Sequence, residues 1–252
     1  MDFIDSDGVS IAYLDDGPRN AHAVILVHGF ASSAADNWVN PGWVRVLSEA
    51  GYRVIALDNR GHGQSAKPYT QEAYATPTMA EDVRNLMDHL GIVRADVMGY
   101  SLGARIAAFL ALNHQRRVRS LIFGGLGINM VRGLAGTGPI AAALEATSID
   151  DVTNPTAKTF RAFAEQTGSD LKALAHCIRG SRVPITEEML SHIACPVLVA
   201  VGTEDVIGGP ASDLAALIPG ATALDIPRRD HMRAVGDKVY KHGVLEFLAK
   251  RP

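Results

Sequence analysis

The pentapeptide Gly99-Tyr100-Ser101-Leu102-Gly103 constrains this chain more than any other feature, because of where it falls. It follows directly on Ala95 to Met98, a short apolar run suited to a buried strand, and it opens the apolar helical stretch Ser101 to Leu112. A strand that becomes a helix within two residues strains the backbone at the corner and exposes the side chain there. Glycines on either side let strand and helix approach closely. The pattern predicts an elbow carrying the Ser101 hydroxyl. The helix that follows begins at the same point, so the Leu102 amide and the helix dipole can stabilise negative charge on an attacked carbonyl oxygen. A second such donor must come from another loop. His28-Gly29-Phe30, just after an apolar run ending at Val27, offers the Phe30 amide.

Further strands are expected at Val9 to Leu14, Ala23 to Val27, Arg53 to Leu57, Leu121 to Phe123, Val197 to Val201 and Ala221 to Ile226. Helical patterns alternate with them. Thr78 and Glu81 have the spacing of a capping box for a helix running to Leu90, with Gly91 as its left-handed stop. Pro210 opens a helix towards Ile218, and Lys238 to Leu248 closes the chain as an amphipathic helix. Such alternation implies an α/β fold, a mostly parallel central sheet flanked by helices.

The alternation breaks between Gly124 and Ile193. Here a glycine-rich stretch precedes a helix capped by Asn154, begun by Pro155 and carrying Phe160 and Phe163. Gly168 ends it, and Ser169 or Asp170 can cap another helix carrying Leu171, Leu174 and Ile178. Residues 1–125 and 194–252 are therefore expected to form the core, and 126–193 a small helical cap or lid with an apolar underside.

Of the 252 residues, 47% are hydrophobic and 20% charged, with a formal charge of -3, which disfavours a nucleic-acid binder and favours a small-molecule partner. No basic leader precedes an apolar stretch and no run approaches bilayer-spanning length, so a cytoplasmic protein with no membrane role is expected. Cys177 and Cys195 read as reduced structural thiols, and they cannot supply a tetrahedral metal site. Gly133, Gly136 and Gly138 lack the lysine and preceding strand of a phosphate loop. Neither metal nor organic cofactor is expected. Oligomeric state is not readable.

His28-Gly29-Phe30, Asp58-Asn59-Arg60-Gly61-His62-Gly63-Gln64-Ser65, the serine elbow, Gly202-Thr203-Glu204-Asp205 and a late histidine follow one another in an order that resembles the α/β-hydrolase family over nearly the whole chain. The resemblance implies a cap inserted after the sixth strand and a triad in the order serine, acid, histidine. Ser101 would then be the nucleophile and Asp205 the orienting acid. His231, between the last strand and the last helix, would be the base that a serine needs at neutral pH. His28 and His62, beside glycine turns, read as backbone braces. Asp58 and Arg60 read as loop braces, and Trp38 and Trp43 as packing residues. Glu204 should point away from the site, and Asp230 should be a solvated loop charge. Asp230 nevertheless departs from the family, which often has glycine before this histidine, and its carboxylate would favour a protonated ring.

The function expected from this constellation is hydrolysis of a small or medium, largely apolar carboxylic ester through an acyl-enzyme at Ser101. Phe30, Tyr100, Leu126 and Phe163 are the expected substrate contacts. A C–C bond hydrolase or a perhydrolase could use the same triad, and a non-catalytic small-ligand receptor could use the same pocket.

Overall fold

The structure is a computed structural model that describes residues 1–133 and 136–251. Positions 134 and 135 of the expected cap lie outside the described residues.

Eight strands form one sheet: β1 (Asp2–Ser6), β2 (Val9–Asp16), β3 (Ala23–Val27), β4 (Arg53–Leu57), β5 (Ala95–Tyr100), β6 (Val118–Gly124), β7 (Val197–Gly202) and β8 (Thr222–Ile226), in the order β1-β2-β4-β3-β5-β6-β7-β8. β1 and β2 run antiparallel to their neighbours, and the other strands pair in parallel. Along the chain lie the helices α1 (Trp43–Glu49), α2 (Thr76–His89), α3 (Leu102–Asn113), α4 (Asn129–Arg132), α5 (Thr137–Glu145), α6 (Pro155–Gln166), α7 (Leu171–Gly180), α8 (Glu187–Ser191), α9 (Ala211–Ala215) and α10 (Lys238–Lys250).

The sheet separates two apolar layers, and the two-residue period of the strands feeds both. From β3, Ile25 and Val27 face a layer built with Met79, Val83 and Leu86 of α2 and Ile106, Phe109 and Leu110 of α3. Val24 and Leu26 face the opposite layer, with Trp43 and Leu47 of α1 and Tyr240, Val244 and Leu248 of α10. This two-sided burial is why β3 is apolar without interruption. Trp38 and Trp43 are fully buried packing residues.

Two local expectations need correction. β1 was not anticipated; its exposed Phe3 and Asp5 alternate with the buried Ile4 and Ser6, as an edge strand with one wet face allows. The expected capping box on α2 does not form. Pro77 sits in the first turn, the helix starts at Thr76 with no side-chain cap, and the Glu81 carboxylate instead meets Arg84 at 2.6 Å and His114 at 2.7 Å. One partner on the same helix and one just beyond α3 take the carboxylate in place of the cap. At the other end Gly91, at φ +66°, terminates the helix as expected.

Between β6 and β7 the described residues form only helices and connecting turns. The Asn154 carboxamide oxygen accepts from the Ala157 amide at 2.9 Å, and Asp170, not Ser169, caps α7. Leu174 and Ile178 are fully buried. Cys177 is buried and Cys195 half-buried, and both are free. Among the described residues no helix is long and apolar enough to cross a membrane.

Candidate active site

Ser101 caps α3 immediately after β5, with φ +55° and ψ -112°, a conformation that L-residues rarely adopt. Two neighbours make the bend possible. A Cβ at Gly99 would collide with the carbonyl of Gly103, and one at Gly103 would collide with the carbonyls of Val27 and His28. The Ser101 amide donates to the Gly124 carbonyl at 2.8 Å, which pins the corner to β6.

The Ser101 hydroxyl lies 3.0 Å from His231 Nε2, and His231 Nδ1 lies 2.8 Å from Asp205 Oδ2. These groups, 130 and 26 residues apart in the chain, meet because the loops that carry them are tied together. The Glu204 amide donates to the Arg229 carbonyl at 3.0 Å, and the Arg228 amide to Thr203 Oγ1 at 2.8 Å. The other Asp205 oxygen accepts the amides of Ile207 at 2.9 Å and Gly208 at 2.8 Å, fixing the carboxylate plane. Tyr100 donates its hydroxyl to the His231 carbonyl at 2.6 Å. Burial, with the nearby Asp205 charge second, pushes the phenol well above its ordinary pKa, so it stays protonated as that donor. Glu204 is exposed. Asp230 accepts from the amides of Met232 at 3.1 Å and Arg233 at 2.8 Å, so its carboxylate organises the turn after His231.

The loop after β3 abuts the elbow: a Cβ at Gly29 would lie 3.3 Å from the Tyr100 carbonyl and 3.5 Å from Ser101 Cβ. Among the described residues the amides of Phe30 and Leu102 have no hydrogen-bond partner. Unpartnered donors flanking a hydroxyl are what an oxyanion needs. Deeper braces hold the loops. Asp58 accepts the amides of Ala34 and Gln64 at 2.7 Å each. Arg60 makes a two-pronged bond to Asp82, 2.7 Å on each prong.

A partly enclosed cavity beside Ser101 is lined by Phe30, Leu102, Leu126 and Phe160, with Arg105 and Arg182 among its polar groups. Of the expected substrate contacts, Phe30 and Leu126 line this cavity. Tyr100 does not line the cavity, since its ring is buried and its hydroxyl is engaged with His231. Phe163 does not either. It packs against the core, and Phe160, one helical turn earlier, meets Phe30 edge-on at 6.1 Å. Sequence reasoning missed Arg105 and Arg182. Arg105 left a trace as the lone charge in an otherwise apolar helix, whereas Arg182 left none. Two other surface depressions, one lined by Arg19, Arg53 and Arg119 and one by Gln115 and Cys195, contain neither Ser101 nor His231. Among the described residues no cluster of three metal-ligating side chains occurs.

A family profile for the alpha/beta hydrolase fold matches residues 22–135. Among curated proteins, epoxide hydrolase A of Mycobacterium tuberculosis is 35% identical over 118 residues, 47% of this chain and 36% of that protein. The matched stretches span less than half the length of the curated relatives. Among solved structures, a hydrolase from Pseudomonas aeruginosa PA01 superposes with a TM-score of 0.82 at 26% identity, covering 98% of this chain and 97% of the other. The enol-lactonase from Burkholderia xenovorans LB400 superposes with a TM-score of 0.81 at 24% identity, covering 99% and 100%, a likeness of fold.

Proposed function

The chain belongs to the α/β-hydrolase fold superfamily, and from that premise we propose that it is a serine hydrolase that cleaves carboxylic esters through an acyl-enzyme at Ser101. The observation that carries this reading is the continuous hydrogen-bonded line from Ser101 Oγ through the His231 ring to Asp205, at 3.0 and 2.8 Å. A serine hydroxyl becomes nucleophilic when a neutral imidazole takes its proton, and a buried carboxylate on the far nitrogen orients the ring and stabilises the imidazolium.

Ser101 Oγ attacks the ester carbonyl and passes its proton to His231 Nε2. The carbonyl oxygen, now negative, is held by the Phe30 and Leu102 amides. Collapse breaks the bond to the alcohol, which leaves with the proton from His231. Water then attacks the acyl group, giving a proton to the same nitrogen, and Ser101 leaves protonated. In this reading residues 126–193 act as a cap that shapes the cavity through Phe160 and Arg182.

Labelling with a fluorophosphonate should modify Ser101, and Ser101→Ala should lose p-nitrophenyl ester turnover by roughly 10⁴-fold or more while remaining folded. Wild-type turnover that persists in Ser101→Ala would overturn the assignment.

A further inference from the structure

Arg105 and Arg182 line the cavity next to Ser101. Other buried guanidiniums have a carboxylate partner: Arg60 has Asp82 and Arg161 has Glu165, each at 2.7 Å. Neither cavity arginine has one among the described residues. Arg105 is only 5% exposed. It gives one N–H to the Met130 carbonyl at 2.8 Å and one to the Val183 carbonyl at 2.6 Å, which leaves three of the five donors of a guanidinium. Its Nε and that of Arg182 are covered from solvent and have no partner among the described residues.

Burying a cation without an anion is unfavourable, and two together are worse. The strain registers in the groups themselves. Desolvation, with repulsion from Arg182 second, lowers the Arg105 pKa to about 10, and desolvation lowers that of Arg182 as well. The ionisable group beside Arg182 is the Cys177 thiol, which burial pushes up to about 12, so it stays neutral and offsets nothing.

We propose that Arg105 and Arg182 form a carboxylate-binding subsite, and that the substrate is an ester or lactone carrying an ionised carboxylate a few carbons from its scissile carbonyl. This rests on the serine-hydrolase reading above and narrows its substrate class. A planar guanidinium matches the two oxygens of a carboxylate. The register fits too: Arg105 lies four residues after Ser101 on α3, a rise of roughly 6 Å, the span of a short spacer. The apolar walls of Phe30, Leu126 and Phe160 suit the methylenes of that spacer and leave the arginines as the cationic groups of the cavity. A largely apolar substrate would leave both cations unneutralised.

Mono-p-nitrophenyl glutarate and p-nitrophenyl pentanoate have acyl chains of equal length and differ at the far end, carboxylate against methyl. The ratio of their kcat/KM values should be at least tenfold in favour of the glutarate ester in the wild type. It should fall at least tenfold in Arg182→Met, which leaves the Arg105 bonds to Met130 and Val183 in place, and recover in part in Arg182→Lys. A wild-type ratio near one, or a ratio that Arg182→Met does not change, would overturn the proposal. Free glutarate added to Ser101→Ala separates the two readings. A rise in Tm that disappears in the Ser101→Ala, Arg182→Met double variant supports the subsite even if neither ester is hydrolysed. Hydrolysis of the neutral ester with no glutarate-dependent rise in Tm supports the serine chemistry and refutes the subsite.

Discussion

Lowering the pH from 7 to 5 should destabilise this fold by about 4 kcal/mol through two histidines that take no part in the proposed chemistry, His28 and His62. Both rings are buried, with centroids 5.1 Å apart. His28 Nε2 accepts the Asn59 amide at 2.9 Å, so it carries no proton, and Nδ1 donates to the Gly29 carbonyl at 2.7 Å. A second proton would set one N–H against another. His62 donates from Nδ1 to the Arg60 carbonyl at 3.0 Å, and its Nε2 has no partner among the described residues. Desolvation, opposed by the Gly29 carbonyl, lowers the His28 pKa from 6.5 to about 4. Desolvation, aided by repulsion from His28, lowers that of His62 to about 3. In the unfolded chain both titrate near 6.5, so between that pH and the folded values the unfolded state binds more protons. The stability is complete above pH 6.5 and is lost as pH falls towards 4 and 3. At pH 5 each ring accounts for roughly 2 kcal/mol, against a total of about 5–15 kcal/mol for an ordinary domain. Urea unfolding at pH 7, 6 and 5 should show the loss in wild type and about 2 kcal/mol less of it in His62→Gln. A His62→Gln protein folded at pH 7 with the wild-type pH dependence would refute the account.

Two further perturbations probe the elbow and the triad. Gly103→Ala gains about 1 kcal/mol of helix propensity but drives a methyl into the Val27 and His28 carbonyls, at a cost of about 3 kcal/mol, so urea melts should show a net loss; an unchanged or raised midpoint would show that the elbow is not packed as described. Asp205→Asn keeps an oxygen for the Ile207 and Gly208 amides but loses the charge facing His231, so kcat on an ester should drop roughly 10³- to 10⁴-fold with little change in Tm, and a drop of less than tenfold would remove Asp205 from the triad.

How much could be read in advance depended on whether the constraint was local. The bounds of β3 and β4 emerge as expected, because a strand buried on both faces is apolar along nearly its whole length, with only Arg53 of β4 as an exception at its start. The elbow was legible because a strained corner admits few residue types. Asp205 and His231 could be placed only by their order along a familiar topology, since nothing local marks them. β1 was hidden because only Ile4 and Ser6 are buried between exposed Asp2, Phe3 and Asp5, and Glu81 was misassigned because Arg84 and His114 compete for it. The Phe160 and Phe163 exchange is a matter of helix rotation, set by packing that no periodicity within α6 specifies.

The two arginines mark a different boundary. A charge in an apolar helix can be a surface residue, a partner in an ion pair or a ligand contact, and only the surroundings of Arg105 distinguish them: nearly full burial, two carbonyls and, among the described residues, no carboxylate. Its counterpart Arg182 comes from the insert between β6 and β7, whereas Ser101, Asp205 and His231 all stand at the ends of sheet strands or just beyond them. Reaction type would then be set by the sheet and substrate charge by the insert. Changes confined to 126–193 should accordingly alter which ester is preferred before they alter whether an ester is cleaved at all.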